Sequence, residues 1–131
     1  MTIYLSVKNA LDLHEDIIKT IGGLNGIRNL GLLESAIHAP QQILFGQEMY
    51  KSIPEKSSVY LYHIIKNHPF NDGNKRTAFS CFCTFVKANG YCVENKNYLE
   101  NLCVQIAEND IDKKEIIYLI SIHRVISQIF S

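Results

Sequence analysis

From residue 57 to residue 65 the chain carries no full charge, and Val59, Leu61, Ile64 and Ile65, with Tyr60 and Tyr62, put apolar surface nearly all round a helix. Such a helix has no face to give to water. It belongs in the middle of a domain, and the other elements have to be arranged around it. Its start is well marked: Ser52 stands in capping position, Glu55 follows three residues later, and Pro54 lies in the first turn. The helix is predicted to run to about Lys66.

Elsewhere apolar residues mostly recur at helical spacing. Residues 9–21 read as a helix with Leu13, Ile17, Ile18 and Ile21 on one stripe, closed by Gly22-Gly23. Residues 22–26 are too rich in glycine to be helical. Residues 30–43 read as a helix that Pro40 bends or interrupts, and residues 45–50 as an irregular flap or short hairpin. Residues 74–88 read as a helix with Ala78, Phe82, Phe85 and Val86 inward, ended by Asn89-Gly90. Tyr91-Cys92-Val93 is at most a short strand. Asn97 with Glu100 and Asp112 with Glu115 form capping boxes that open helices to about Glu108 and Ser127. The expectation is an all-α fold, a compact bundle of about six helices with a short flap, with residues 1–131 as one domain.

Charge and cysteine usage narrow the function. Lys plus Arg and Asp plus Glu both number 13, which leaves no general electrostatic reason to bind nucleic acid or an anionic membrane. Any positive field must be local. The four cysteines, Cys81, Cys83, Cys92 and Cys103, include no C-x-x-C pair and read as small hydrophobes of a reducing compartment. The first residues lack a basic, then apolar, leader, and no stretch is apolar for long enough to span a bilayer, so a cytoplasmic protein is expected.

Chemistry concentrates in residues 68–76, His-Pro-Phe-Asn-Asp-Gly-Asn-Lys-Arg. Pro69 pushes His68 out of helical geometry, and a new helix begins near Asn74. Lys75 and Arg76 then lie in a helical first turn, where the macrodipole favours anions and disfavours cations. They make sense there if a phosphate joins them on the free N–H groups. Gly73 permits close backbone approach or a positive φ. Asp72 is a hard oxygen ligand suited to Mg²⁺ shared with phosphate oxygens, and His68 is a candidate general base. Together they fit phosphoryl or nucleotidyl transfer. The spacing alone is equally readable as a helix–turn–helix corner with a capping Asp72 and solvated Lys75 and Arg76.

The run His68-Pro69-Phe70-x-Asp72-Gly73-Asn74-Lys75-Arg76-Thr77-Ala78 resembles the signature of the Fic/Doc family. Upstream, residues 22–28 and 31–36 are similar to the segment preceding it in Doc-like proteins, and residues 85–90 to the end of their motif helix. The resemblance implies a bacterial or phage source and ATP with Mg²⁺. It implies that His68 is the general base toward a hydroxyl of a target protein, that Asp72 positions Mg²⁺, and that Gly73, Asn74, Lys75 and Arg76 hold nucleotide phosphates. Arg28 matches an upstream arginine and is a candidate contact to substrate or phosphate.

Relatives that transfer AMP carry glycine where this chain has Lys75 and arginine where it has Phe79. Both departures resemble the Doc branch, in which ATP binds reversed and the γ-phosphoryl group is transferred; the implied target is a threonine of elongation factor Tu, which would stop translation. AMP transfer is the alternative reading, which Pro69 and Gly73 favour, and a non-enzymatic helical binding module is a second. Many relatives carry an inhibitory helix with Ser or Thr four residues before a glutamate. No glutamate here has one, so an antitoxin acting in trans is expected. The other histidines, His14, His38, His63 and His123, lack zinc spacing. His63 is read as a structural histidine, and Phe79, Phe82 and Phe85 as core.

Overall fold

The computed structural model describes residues 1–129. Six helices carry the fold: α1 (Val7–Ile21), α2 (Leu30–His38), α3 (Ile53–Asn67), α4 (Asn74–Ala88), α5 (Lys96–Asn109) and α6 (Lys113–Ile122). Two small antiparallel strand pairs accompany them, β1 (Ile43–Leu44) with β2 (Gln47–Glu48), and β3 (Tyr91–Val93) with β4 (Ile126–Gln128). The mostly helical reading therefore holds, flap included. Among the described residues no helix is long and apolar enough to cross a membrane.

The uncharged helix lies where its composition requires. α3 packs against α2, α4, α5 and α6, and Val59, Tyr60, Leu61 and Ile64 are fully buried. Each large side chain so buried contributes about 1.5–3 kcal/mol. The Tyr60 hydroxyl accepts the Leu5 N–H at 3.0 Å, and its ring meets Phe85 edge-on at 4.9 Å. At the start of α3, Ser52 and Glu55 complete the capping box. The next residue, Lys56, is 1% exposed and donates to the Tyr50 carbonyl at 2.6 Å, with the Glu48 carboxylate 3.3 Å away. These partners make a buried ammonium tolerable and anchor the β1–β2 flap to the core. At the flap's tip Phe45 is 95% exposed.

Element ends differ from the sequence reading in four places. α1 starts earlier, because Ser6 caps it with Asn9 completing the box. α2 stops at His38 and passes into a 3₁₀ turn, Ala39–Gln41, so Pro40 ends the helix and Ile43 is in a strand. α5 is capped by Asn95 rather than Asn97. α6 ends at Ile122, not Ser127: Arg124 takes a left-handed φ of 48°, and residues 126–128 pair with β3. An apolar run of isoleucine and valine reads alike as helix or buried strand, and here the partner strand decides.

His63 is the structural histidine expected, facing the Lys113 ammonium at 3.3 Å. Burial first, then the Lys113 charge, lower its pKa to about 4 from 6.5. The folded state thus excludes a proton that the unfolded chain takes up. Stability is fully present above pH 6.5 and falls between there and pH 4. The loss expected is about 1–2 kcal/mol after allowance for solvent screening. Urea titrations of wild type and His63→Phe across that window check it; a wild-type slope equal to the variant's would remove His63 as the cause.

Candidate active site

The site begins where α3 ends. His68 is the C-cap residue, at φ 51° and ψ 55°, a left-handed conformation costing a non-glycine residue about 1–2 kcal/mol. Its N–H reaches the Ile64 carbonyl at 3.3 Å. Arg28 holds the turn from outside: Nε donates to the His68 carbonyl at 2.6 Å and Nη2 to the Asn67 carbonyl at 2.7 Å. These bonds satisfy helix-end carbonyls with a cation, as the dipole favours.

Residues 22–28 run as a strap along the loop that follows. The Pro69 carbonyl accepts the N–H groups of Arg28 at 2.7 Å and Asn29 at 3.0 Å, and the Asn71 N–H donates to the Gly26 carbonyl at 3.1 Å. Two glycines allow this approach. A Cβ on Gly23 would lie 2.8 Å from Asp72 Oδ2 and one on Gly26 2.8 Å from Asn71 Nδ2, and both residues have φ near +114°. The strap also aims the carboxylate: Asp72 Oδ2 accepts the Leu24 N–H at 3.2 Å, while Oδ1 accepts the Gly73 N–H at 2.9 Å.

Asn74 and His14 support the loop from within. Asn74, 5% exposed, accepts the Phe70 N–H at 3.0 Å and donates to the Phe70 carbonyl at 2.9 Å. Those two bonds orient the amide, whose other N–H faces His68 Nδ1 at 3.2 Å. That long contact orients the ring without fixing its tautomer. The expectation that the Asn74 side chain holds phosphate therefore gives way to a positioning role, leaving its backbone N–H for an anion. His14 of α1 is 3% exposed, stacks on Phe70 at 3.8 Å, and its Nε2 lies 2.8 Å from the Asp72 carbonyl.

His68, Asp72, Gly73, Asn74, Lys75 and Arg76 line one cleft of about 550 Å³. Lys66 joins them, paired with Asp110 at 2.7 Å. Among the described residues lining the cleft, three are cations and Asp72 is the one carboxylate, so the neutral chain does carry a local positive field. Gly73 starts α4 at φ 78° with no side-chain cap, which leaves first-turn N–H groups for an anion. No cluster of three or more His, Cys, Asp or Glu able to hold a metal occurs among the described residues. A lone carboxylate fits Mg²⁺ in the mode where phosphates and water complete the shell. Arg28 is not among the cleft's lining residues; the structure uses it as the clamp just described.

Lys75 and Arg76 also line a second cleft of about 510 Å³, with Ile17 and Ile21 of α1, Phe79 and Ser80 of α4, and Glu100, Cys103 and Val104 of α5. Phe82 and Phe85 are core as expected, whereas Phe79 is only half-buried. The cysteines are free, and burial pushes the Cys81 and Cys103 thiols up to about 12, which fits them as inert hydrophobes. The sequence reading missed His14, Lys66 and the clamp role of Arg28. His14 had one visible signal, a histidine on the apolar face of an amphipathic helix.

The chain that carries this left-handed histidine beside a helix start belongs to the Fic/DOC family, whose model matches residues 4–86. Among its relatives, the protein kinase doc of Escherichia phage P1 is 32% identical over 108 residues, covering 82% of this chain and 85% of that one. Toxin Doc of Mycolicibacterium smegmatis is 33% identical over 94 residues, covering 70% of this chain and 72% of the relative.

Proposed function

We propose that this chain is a Doc-like toxin that transfers the γ-phosphoryl group of ATP to a hydroxyl of a protein, a threonine of elongation factor Tu, so stopping translation in the cytoplasm. The observation that carries it is the first cleft, where His68 and Asp72 flank an uncapped helix start bearing Lys75 and Arg76. Terminal phosphate oxygens sit on the first-turn N–H groups of α4. His68 takes the target hydroxyl's proton as that oxygen attacks the γ-phosphorus, and the bond to the ADP oxygen breaks. Lys75 and Arg76 balance the charge that develops there. Mg²⁺, which Asp72 would hold, supplies charge neutralisation on the phosphates. The names of the relatives, a toxin and a protein kinase, support this direction of transfer and an antitoxin partner in trans.

The test is paired labelling of a bacterial lysate with Mg²⁺ and ATP carrying label on the γ- or the α-phosphate, with Asp72→Ala as control. Label from γ-ATP on a protein of the size of elongation factor Tu, absent with Asp72→Ala, is the expected result. Label from α-ATP alone would mean AMP transfer and sink the kinase reading. No label from either would favour a binding module.

A further inference from the structure

We infer that Asn25 is a self-modification site: the Gly26 nitrogen closes on the Asn25 side-chain carbon, expels ammonia, and leaves an isoaspartate that unfastens the strap from Asp72. The chain has two Asn-Gly pairs, Asn25-Gly26 and Asn89-Gly90, and the fold treats them oppositely. Asn25 is exposed, and its Oδ1 accepts the Gly26 N–H at 2.8 Å. That contact brings the carbon bearing Oδ1 close to the nitrogen, the arrangement from which ring closure starts. Glycine adds no side chain to obstruct the approach. Among the described residues no backbone carbonyl takes the Gly26 N–H, so no backbone bond has to break first. Asn89 is pinned elsewhere. Its Oδ1 accepts the Ile3 N–H at 2.8 Å, and its Nδ2 donates to the carbonyls of Ile3 at 2.9 Å and Phe85 at 2.8 Å. The Gly90 N–H is taken by the Lys87 carbonyl at 3.2 Å. Asp72-Gly73 repeats the Asn25 contact at 2.9 Å, but a carboxylate is a poor electrophile and has no ammonia to release.

The only co-reactant is water. A bond forms between the Gly26 nitrogen and the Asn25 side-chain carbon, the bond from that carbon to Nδ2 breaks, and the Gly26 proton leaves with the ammonia. Water then opens the ring at either carbonyl. One opening gives aspartate; the other routes the main chain through the side chain and makes it one methylene longer. That extra atom falls between two anchors on adjacent loop residues. The Leu24 N–H is held on the Asp72 carboxylate at 3.2 Å, and the Gly26 carbonyl on the Asn71 N–H at 3.1 Å. A longer link cannot keep both in register, and the new carboxylate adds a like charge to the strap that aims Asp72. Transfer therefore declines as the molecule ages, a consequence that rests on the proposed function.

The experiment ages wild type and Asn25→Gln in mildly alkaline buffer and follows both by tryptic peptide mapping, isoaspartate methylation, melting curves and γ-phosphoryl transfer. Residues 20–28 form one tryptic peptide, in which Asn25 is the one asparagine, and residues 88–96 form another that holds Asn89. Glutamine would have to close a larger ring and reacts far more slowly. Asn25 is expected to convert at least about 10-fold faster than Asn89, a barrier difference of about 1.4 kcal/mol or more. Tm and transfer should fall with the isoaspartate fraction in wild type and hold in the variant. Conversion of both asparagines at similar rates would mean that modification follows general unfolding, and overturns the inference. Isoaspartate at residue 25 that leaves transfer at its starting rate overturns it too. Fresh wild type without any transfer removes the proposed function alone, and the peptide map with the Tm then decides the inference.

Discussion

Replacing Asn74 with leucine is expected to lower stability by about 2–6 kcal/mol, because it leaves two buried backbone groups of Phe70 without partners, at about 1–3 kcal/mol each. Phe70 is fully buried and its N–H and carbonyl both end on the Asn74 amide. Thermal unfolding should show a Tm drop of about 8–20 °C. A drop of less than about 2 °C would mean that the loop has another way to satisfy Phe70. Transfer should vanish too, since the same amide orients the His68 ring. The Asn74 side chain would thus act on the reaction through position alone.

His68→Gly is expected to separate the two properties. Loss of the base should cost about 10²–10⁴-fold in transfer rate. Stability should not suffer, since glycine adopts the left-handed geometry of this helix end without the steric cost that His68 bears. Single-turnover labelling and a melting curve on the same preparation check both halves. A variant that keeps more than about a tenth of the wild-type rate would remove His68 as the base. A clearly lower Tm would mean that the imidazole itself helps hold the loop.

What was legible in the sequence followed distance along the chain. The bounds of α3 and α4 are local matters, set by the Ser52 box, by Pro69 and by Asn89-Gly90, and they fall as read. Most residues of the first cleft were legible for the same reason, since one short loop and one helical turn carry six of the nine, whereas Lys66 at the end of α3 was not. What could not be read depends on partners distant along the chain. Arg28 looks like a phosphate ligand until it meets the carbonyls of Asn67 and His68. His14 looks idle until it stacks on Phe70. The tail looks helical until β3 claims it. Phe79, read as core, opens onto a cleft because α1 and α5 do not close over it.

The helix that ends in His68 has a further consequence, one of timing. Every lining residue of the first cleft except Ala107 lies between residues 65 and 76, so nearly all of it has been synthesised when little more than half the chain exists. Yet α3 also needs the cover of α6, residues 113–122, on its apolar surface. Domains generally fold as units, and at about 5–20 residues per second the missing stretch takes on the order of seconds to make. Through that interval the nascent chain holds its chemical groups without the framework that sets their geometry. Activity would then begin only once α6 has been made and has packed on α3.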